Sequence, residues 1–152
     1  MGPGDSARED RCRLTGMRGA QVFRLEDTDA IPLGTGSTYR PIVGNDAGST
    51  PVRTGIQTCE PGYEVPPHCH PYVEIIHMLE GALEFWIDGF ESESTRLNPG
   101  DSVEIQPGTW HAFRTHGEVT ARLLGTHASP TRIVTYKPGI RVDARGYRIS
   151  ET

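Results

Sequence analysis

Cysteine is scarce in this sequence: Cys12, Cys59 and Cys69 are three in 152 residues, an odd number without the spacing of a disulfide framework. Free thiols in a reducing, cytoplasmic compartment are the expectation. Basic charge is short as well, since 15 Lys and Arg stand against 20 Asp and Glu for a net charge of −5. That balance offers no footprint for nucleic acid or an anionic membrane surface, and neither is an expected partner. No apolar run approaches the roughly 18 residues that a membrane-spanning helix requires. The opening MGPGDSARED has neither the basic nor the apolar region of a signal peptide. Internal repeats and low-complexity tracts are also missing, which excludes solenoids and linker-like segments.

Glycine and proline, by contrast, are plentiful: 18 and 12 residues, spread along the chain. Turn formers at that density join short strands rather than long helices, so the expected class is all-β. With 35% hydrophobic residues the chain is long enough to bury one core without cross-links. Residues 1–18, charged and without either periodicity, read as a disordered or loosely attached arm, and residues 19–152 as a single domain. Met1 and Met17 both stand as candidate starts.

Strands are expected at residues 21–25, 39–43, 52–59, 73–79, 82–87, 102–106, 111–115 and 118–126, with one or two more in 132–147. Residues 31–36 are turn-rich. The run 73–79 is apolar enough for burial on both faces. Asp88-Gly89 signals a type I′ hairpin, and Asn98-Pro99-Gly100-Asp101 another turn. So many short strands fit a closed barrel or two-sheet jelly roll with short N- and C-terminal extensions.

The chemistry concentrates in residues 62–81, GYEVPPHCHPYVEIIHMLEG. Side chains alternate across a strand, so His68, His70 and Glu74, at even spacings, are expected on one face. Glu74 lies in the apolar run VEIIHML, where a carboxylate needs a partner, and a cation is the natural one. A fourth ligand, His111, is delivered by residues 100–111, where Pro107-Gly108 has the order of a type II turn. Four such ligands leave an octahedral sphere incomplete, unlike a closed, thiolate-rich structural zinc site. His77 and His116 are out of phase with the ligands, Cys69 alternates outward and Cys59 is expected in the core. Tyr72 shares parity with His70 and Glu74 and is a candidate to lend a hydroxyl to substrate. His127, at a strand end, is a candidate proton donor or acceptor. Gln57, Tyr63, Trp86, Trp110, Phe113 and Arg122 are further candidates for the cavity.

Gly62-x5-His68-x-His70-x3-Glu74-x6-Gly81 resembles the first motif of the cupin superfamily at every position. Gly100-Asp101, Pro107, Gly108 and His111 resemble the second, with two departures. The proline directly precedes the glycine, its usual place being taken by Gln106, and Thr115 stands where asparagine is frequent. Neither departure touches a ligand. The resemblance covers about residues 50–126 and implies a small single-domain cupin of the type-2 kind, commonly dimeric, with one divalent metal held by three histidines and a glutamate. Fe(II) is the first choice, with Zn(II), Mn(II), Ni(II) or Cu(II) as the others. The implied function is a metal-dependent enzyme on a small organic substrate, foremost a non-haem dioxygenase. A redox-neutral isomerase, lyase or polyketide-type cyclase is the alternative, and a non-catalytic ligand-binding barrel the third reading. The terminal extensions are expected to pair across a homodimer. A barrel fills the chain and leaves no room for a helix-turn-helix.

Overall fold

The computed structural model describes residues 19–150, so the arm expected over residues 1–18 lies outside them. Eleven strands follow in order: β1 (Ile31–Pro32), β2 (Ser37–Val43), β3 (Arg53–Cys59), β4 (Glu64–Cys69), β5 (Glu74–Glu80), β6 (Leu83–Ile87), β7 (Thr95–Leu97), β8 (Ser102–Ile105), β9 (His111–Thr115), β10 (Ala121–His127) and β11 (Thr135–Tyr136). Single 3-10 turns at Leu25–Asp27 and Glu91–Glu93 are the only helical pieces among the described residues. The strands form two antiparallel sheets, ordered β1-β2-β3-β10-β5-β8 and β11-β4-β9-β6-β7. This is a jelly roll: each sheet turns one face to the other, and the apolar half of each alternating strand goes inside.

The inward positions change character along the strands. At one end Cys59, Tyr63, Ile76, Met78, Leu83, Phe85, Leu97, Ile105, Phe113 and Leu123 form a continuous apolar core. Toward the other end, β5 runs from Met78 through Ile76 to Glu74, β10 from Leu123 through Gly125 to His127, and β3 from Gln57 through Gly55 to Arg53. Register places Arg53, His127 and Glu74 side by side across those three strands. The barrel is therefore closed by hydrocarbon at one end and polar at the other. Gly55 belongs to this design, because a Cβ there would lie 2.3 Å from the Tyr39 ring. Only glycine lets that ring cross the strand.

Several expectations are corrected. Residues 21–25 form no strand; a 3-10 turn starts at Leu25 instead. The segment 73–79 is buried on one face only, since Ile75 and Leu79 are 38% and 39% exposed. Asp88-Gly89 does not make a two-residue hairpin. The Asp88 N–H bonds Trp110 O at 2.9 Å, tying it to the start of β9, and residues 88–94 carry the chain round to β7, a short and mostly exposed strand that the sequence pattern does not mark. β10 begins at Ala121 rather than at 118, after the turn at Gly117. In the tail, Thr135 and Tyr136 form a two-residue strand paired with Cys69 and His68.

Candidate metal centre

His68, His70, Glu74 and His111 are all buried, and their donor atoms lie within 4.8 Å of one another. Even spacing brings them together, though not as one face of one strand. His68 lies on β4 and Glu74 on β5, which belong to opposite sheets, and His70 sits in the connection between them. Alternation is also broken within β4, where a bulge between Val65 and His68 lets both point inward although they are three apart. His111 opens β9 directly across from His68. The turn before it is of the expected kind: Thr109 N–H bonds Gln106 O at 3.2 Å, and Gly108 takes φ 75°, which favours glycine.

Hydrogen bonds fix which ring nitrogen faces the centre. The Nδ1 atoms of His68, His70 and His111 lie 2.9, 2.6 and 2.8 Å from the carbonyl oxygens of Pro66, Ile133 and Thr109. A carbonyl only accepts, so each Nδ1 carries the proton and each Nε2 turns a lone pair inward. Glu74 Oε2, another acceptor, stands 3.3 Å from His70 Nε2 and 3.2 Å from His111 Nε2. His111 Nε2 and Glu74 Oε2 are both buried without a hydrogen-bond partner. Acceptors facing one another in a dry site repel unless a proton or a cation lies between them. Ligands about 2.1 Å from a shared ion stand about 3.0–3.4 Å apart, so the observed separations fit a divalent metal. The residues present fit such an ion by donor type, tautomer and spacing.

Without a metal, the proton does part of this work. Burial disfavours charge on His111, but the Glu74 carboxylate outweighs it and moves the His111 pKa upward. For Glu74 burial pushes upward too, yet the imidazoles of His111 and His70 and the positive potential of His127 hold it well below the usual carboxylate range. Burial drives His68 down to about 3 and His127 to about 4 from 6.5. These last two bind protons more weakly folded than unfolded. Between pH 6.5 and about 4 the unfolded chain therefore takes up more protons, and the folded state loses stability as pH falls. His111 acts in the opposite sense, but its contribution is complete below 6.5. The midpoint of urea unfolding of metal-free protein is expected to fall from pH 6.5 to 4; a flat profile there would mean that the two rings are not buried neutral.

His68, His70 and Glu74 line a cavity with about 520 Å³ of empty space, part of it open to solvent, and His111 lies fully buried behind them. Of the side chains singled out from the sequence, Gln57, Phe113 and His127 line it. Tyr72 stacks on His70 at 5.0 Å between ring centroids, and its hydroxyl is 3.2 Å from His127 Nδ1. Tyr63 is packed in the core beneath, bonded to Gln57 and Arg148. Trp86, Trp110 and Arg122 lie elsewhere: Trp86 under Arg114, Trp110 under Lys137, and Arg122 paired with Glu80 at the surface. His77 and His116 bond Ser102 and Glu84, away from the centre. Cys59 is buried, its thiol pushed up to about 12 by burial, so it is an inert core residue.

Other lining residues carry little sequence signal. Arg53 shares the inward parity of Gln57 on β3, and that was the available clue. Its guanidinium bonds Asp46, Tyr72, Ser129 O and Thr131 O. Arg132, Val134, Tyr136 and Tyr147 arrive from the tail, which also supplies the Ile133 carbonyl to His70. No spacing rule announces that a tail folds back over a metal site.

The jelly roll and its three-histidine, one-glutamate centre define a cupin, and residues 55–127 match the family described as the cupin domain. The chain carries a small cupin domain in these residues. It is 27% identical over 106 residues to Protein SchB of Streptomyces halstedii, covering 69% of this chain and 75% of SchB. It is 30% identical over 104 residues to quercetin 2,3-dioxygenase of Bacillus subtilis (strain 168), covering 67% of this chain but only 30% of that protein. Among solved structures, the polyketide cyclase RemF of Streptomyces resistomycificus superposes with a TM-score of 0.63 at 22% identity, covering 82% of this chain and 87% of that one. At that identity the likeness is one of fold.

Proposed function

We propose that this protein is a metal-dependent enzyme acting on a small organic substrate, first of all as a non-haem dioxygenase. The observation that supports it most is the convergence of three imidazole Nε2 lone pairs and one carboxylate, three of the four at the wall of an open cavity. Identity to a quercetin dioxygenase supports the oxidative version. A divalent ion held by His68, His70, Glu74 and His111, Fe(II) before Mn(II), Ni(II), Cu(II) or Zn(II), supplies dioxygen activation where it is redox-active and Lewis acidity where it is not. Leu33, Val65, Phe113 and Val134 give a substrate an apolar wall and exclude water, which suits a planar, largely apolar molecule with a few oxygens.

A redox-neutral isomerase, lyase or cyclase is the second reading. It is favoured by the hydrogen-bonded chain Arg53, Tyr72, His127 beside Glu74, an arrangement suited to holding a proton near the substrate. Metal analysis of natively purified protein, then oxygen uptake with flavonols and catechols after loading with each ion, separates the readings. Oxygen consumption with a redox-active ion and none with Zn(II) supports the dioxygenase. Turnover that ignores oxygen supports the second reading, and binding without turnover leaves a ligand-binding barrel.

A homodimer in a reducing, cytoplasmic compartment completes the proposal. Cys59 and Cys69 are free thiols, and Ile75 and Leu79 place apolar surface on the outer face of β5. Light scattering is expected to give twice the 16.7 kDa chain mass; a monomer at micromolar concentration would count against it.

A further inference from the structure

We propose that His127 is a fixed hydrogen-bond donor, held by Tyr72 in the tautomer opposite to that of the three ligand histidines, so that its Nε2–H selects an anionic ligand beside Glu74. The argument begins at the Tyr72 hydroxyl, which is buried. Arg53 Nη2, 3.2 Å away, donates to it, because a guanidinium has no acceptor. His127 Nδ1 lies 3.2 Å away on the other side. Were Nδ1 protonated, the hydroxyl would accept twice and its own buried proton would be stranded, a costly arrangement. With Nδ1 as acceptor, the guanidinium donates to the hydroxyl, the hydroxyl donates to the ring, and the single ring proton is on Nε2.

The far side of the ring agrees. His127 Nε2 is 3.9 Å from Glu74 Oε1, which only accepts. A lone pair aimed at that oxygen would be repelled, whereas an N–H is attracted, and since 3.9 Å is too long for a hydrogen bond the proton remains available to a ligand atom approaching from the side. His68, His70 and His111 meet carbonyl oxygens at Nδ1 and expose a lone pair; His127 meets a hydroxyl at Nδ1 and exposes a proton. It is thus no fifth ligand. Arg132 lines the same cavity, held by the Gly146 carbonyl at 2.9 Å and the Tyr147 ring but with no carboxylate partner among the described residues. One N–H beside the centre and a cation without a counter-charge in the cavity favour a ligand that brings negative charge, such as a carboxylate or an enolate oxygen. In this arrangement Tyr72 and Arg53 are positioning residues and His127 touches the ligand. The ligand preference rests on the metal reading, while the tautomer does not.

Long-range 1H–15N spectra of histidine-labelled full chain, metal-free and Zn(II)-loaded, read the tautomer directly. His127 is expected as Nε2–H, with that preference lost in Tyr72→Phe; an Nδ1–H or doubly protonated ring in the wild type overturns the proposal. Azide titrated into the Co(II)-loaded protein, followed in the visible spectrum, tests the preference. His127→Ala should keep its Co(II) and bind azide about tenfold more weakly, and His127→Gln, which retains an N–H, should stay close to wild type. Unchanged azide affinity in the alanine variant, or loss of Co(II) from a folded one, overturns it. A wild type that takes up neither ion refutes the metal reading instead, and the metal-free spectrum still decides the tautomer.

Discussion

Glu74→Gln is expected to lose metal affinity on the order of a hundredfold or more. Oε2 of Glu74 is the acceptor between two imidazole lone pairs, so it supplies the negative charge that a divalent ion requires. Outer-sphere partners of ligands already cost about 10–100-fold when removed, and a direct ligand costs at least the upper end. In the metal-free protein the same carboxylate holds the His111 pKa up, so the variant also gives up some stability at neutral pH, while a glutamine amide of equal size keeps the packing and offers an N–H to His111 Nε2. Metal content after dialysis and the thermal shift on adding Zn(II) check this. Wild type should gain about 2.7 kcal/mol at a hundredfold excess over its dissociation constant, and the variant almost nothing. A variant that keeps both its metal and its thermal gain would remove Glu74 from the ligand set.

The second large effect is structural. Arg53→Met is expected to destabilise the protein by about 3–5 kcal/mol, because removing the buried guanidinium leaves the acceptors it satisfies without a donor, at about 1–3 kcal/mol for each that stays buried. Arg53 is 3% exposed. It bonds Asp46 at 2.7 Å, Ser129 O at 3.0 Å, Thr131 O at 3.1 Å and the Tyr72 hydroxyl at 3.2 Å. Asp46 in turn accepts from the Tyr147 hydroxyl at 2.6 Å, so one guanidinium ties β3, the loop before it, the end of β10 and the tail together. For a domain of this size the loss corresponds to a midpoint lower by roughly 10 °C. Asp46→Asn, which keeps an acceptor for one partner, should cost clearly less. Equal losses in the two variants, or a loss below about 1 kcal/mol for Arg53→Met, would show that Arg53 does not hold these segments.

Both sites were only partly legible beforehand, and the difference is instructive. Glu74 announced itself as a carboxylate inside an apolar run, and Pro107-Gly108 announced the turn that brings in His111. Arg53 looked like an ordinary charge at the start of a strand, although its parity with Gln57 pointed inward. Trp86, Trp110 and Arg122 were misjudged for the reverse reason: nearness in sequence to a ligand says little about which face of a pleated strand a side chain occupies.

Residue types and spacings by themselves determined that the chain would fold as short antiparallel strands and that three imidazoles and one carboxylate would meet. Pleat, turn chemistry and the cost of a buried charge act over a few residues, and they mark the strands and the four donors. Only the tertiary structure decided that the donors come from opposite sheets, which nitrogen each ring turns inward, and that the tail closes over His68 and His70. Those outcomes depend on the carbonyls of Pro66, Thr109 and Ile133, and Ile133 lies 63 residues from the histidine it orients. Such a partner is chosen by the packing of the whole barrel, not by the neighbouring sequence.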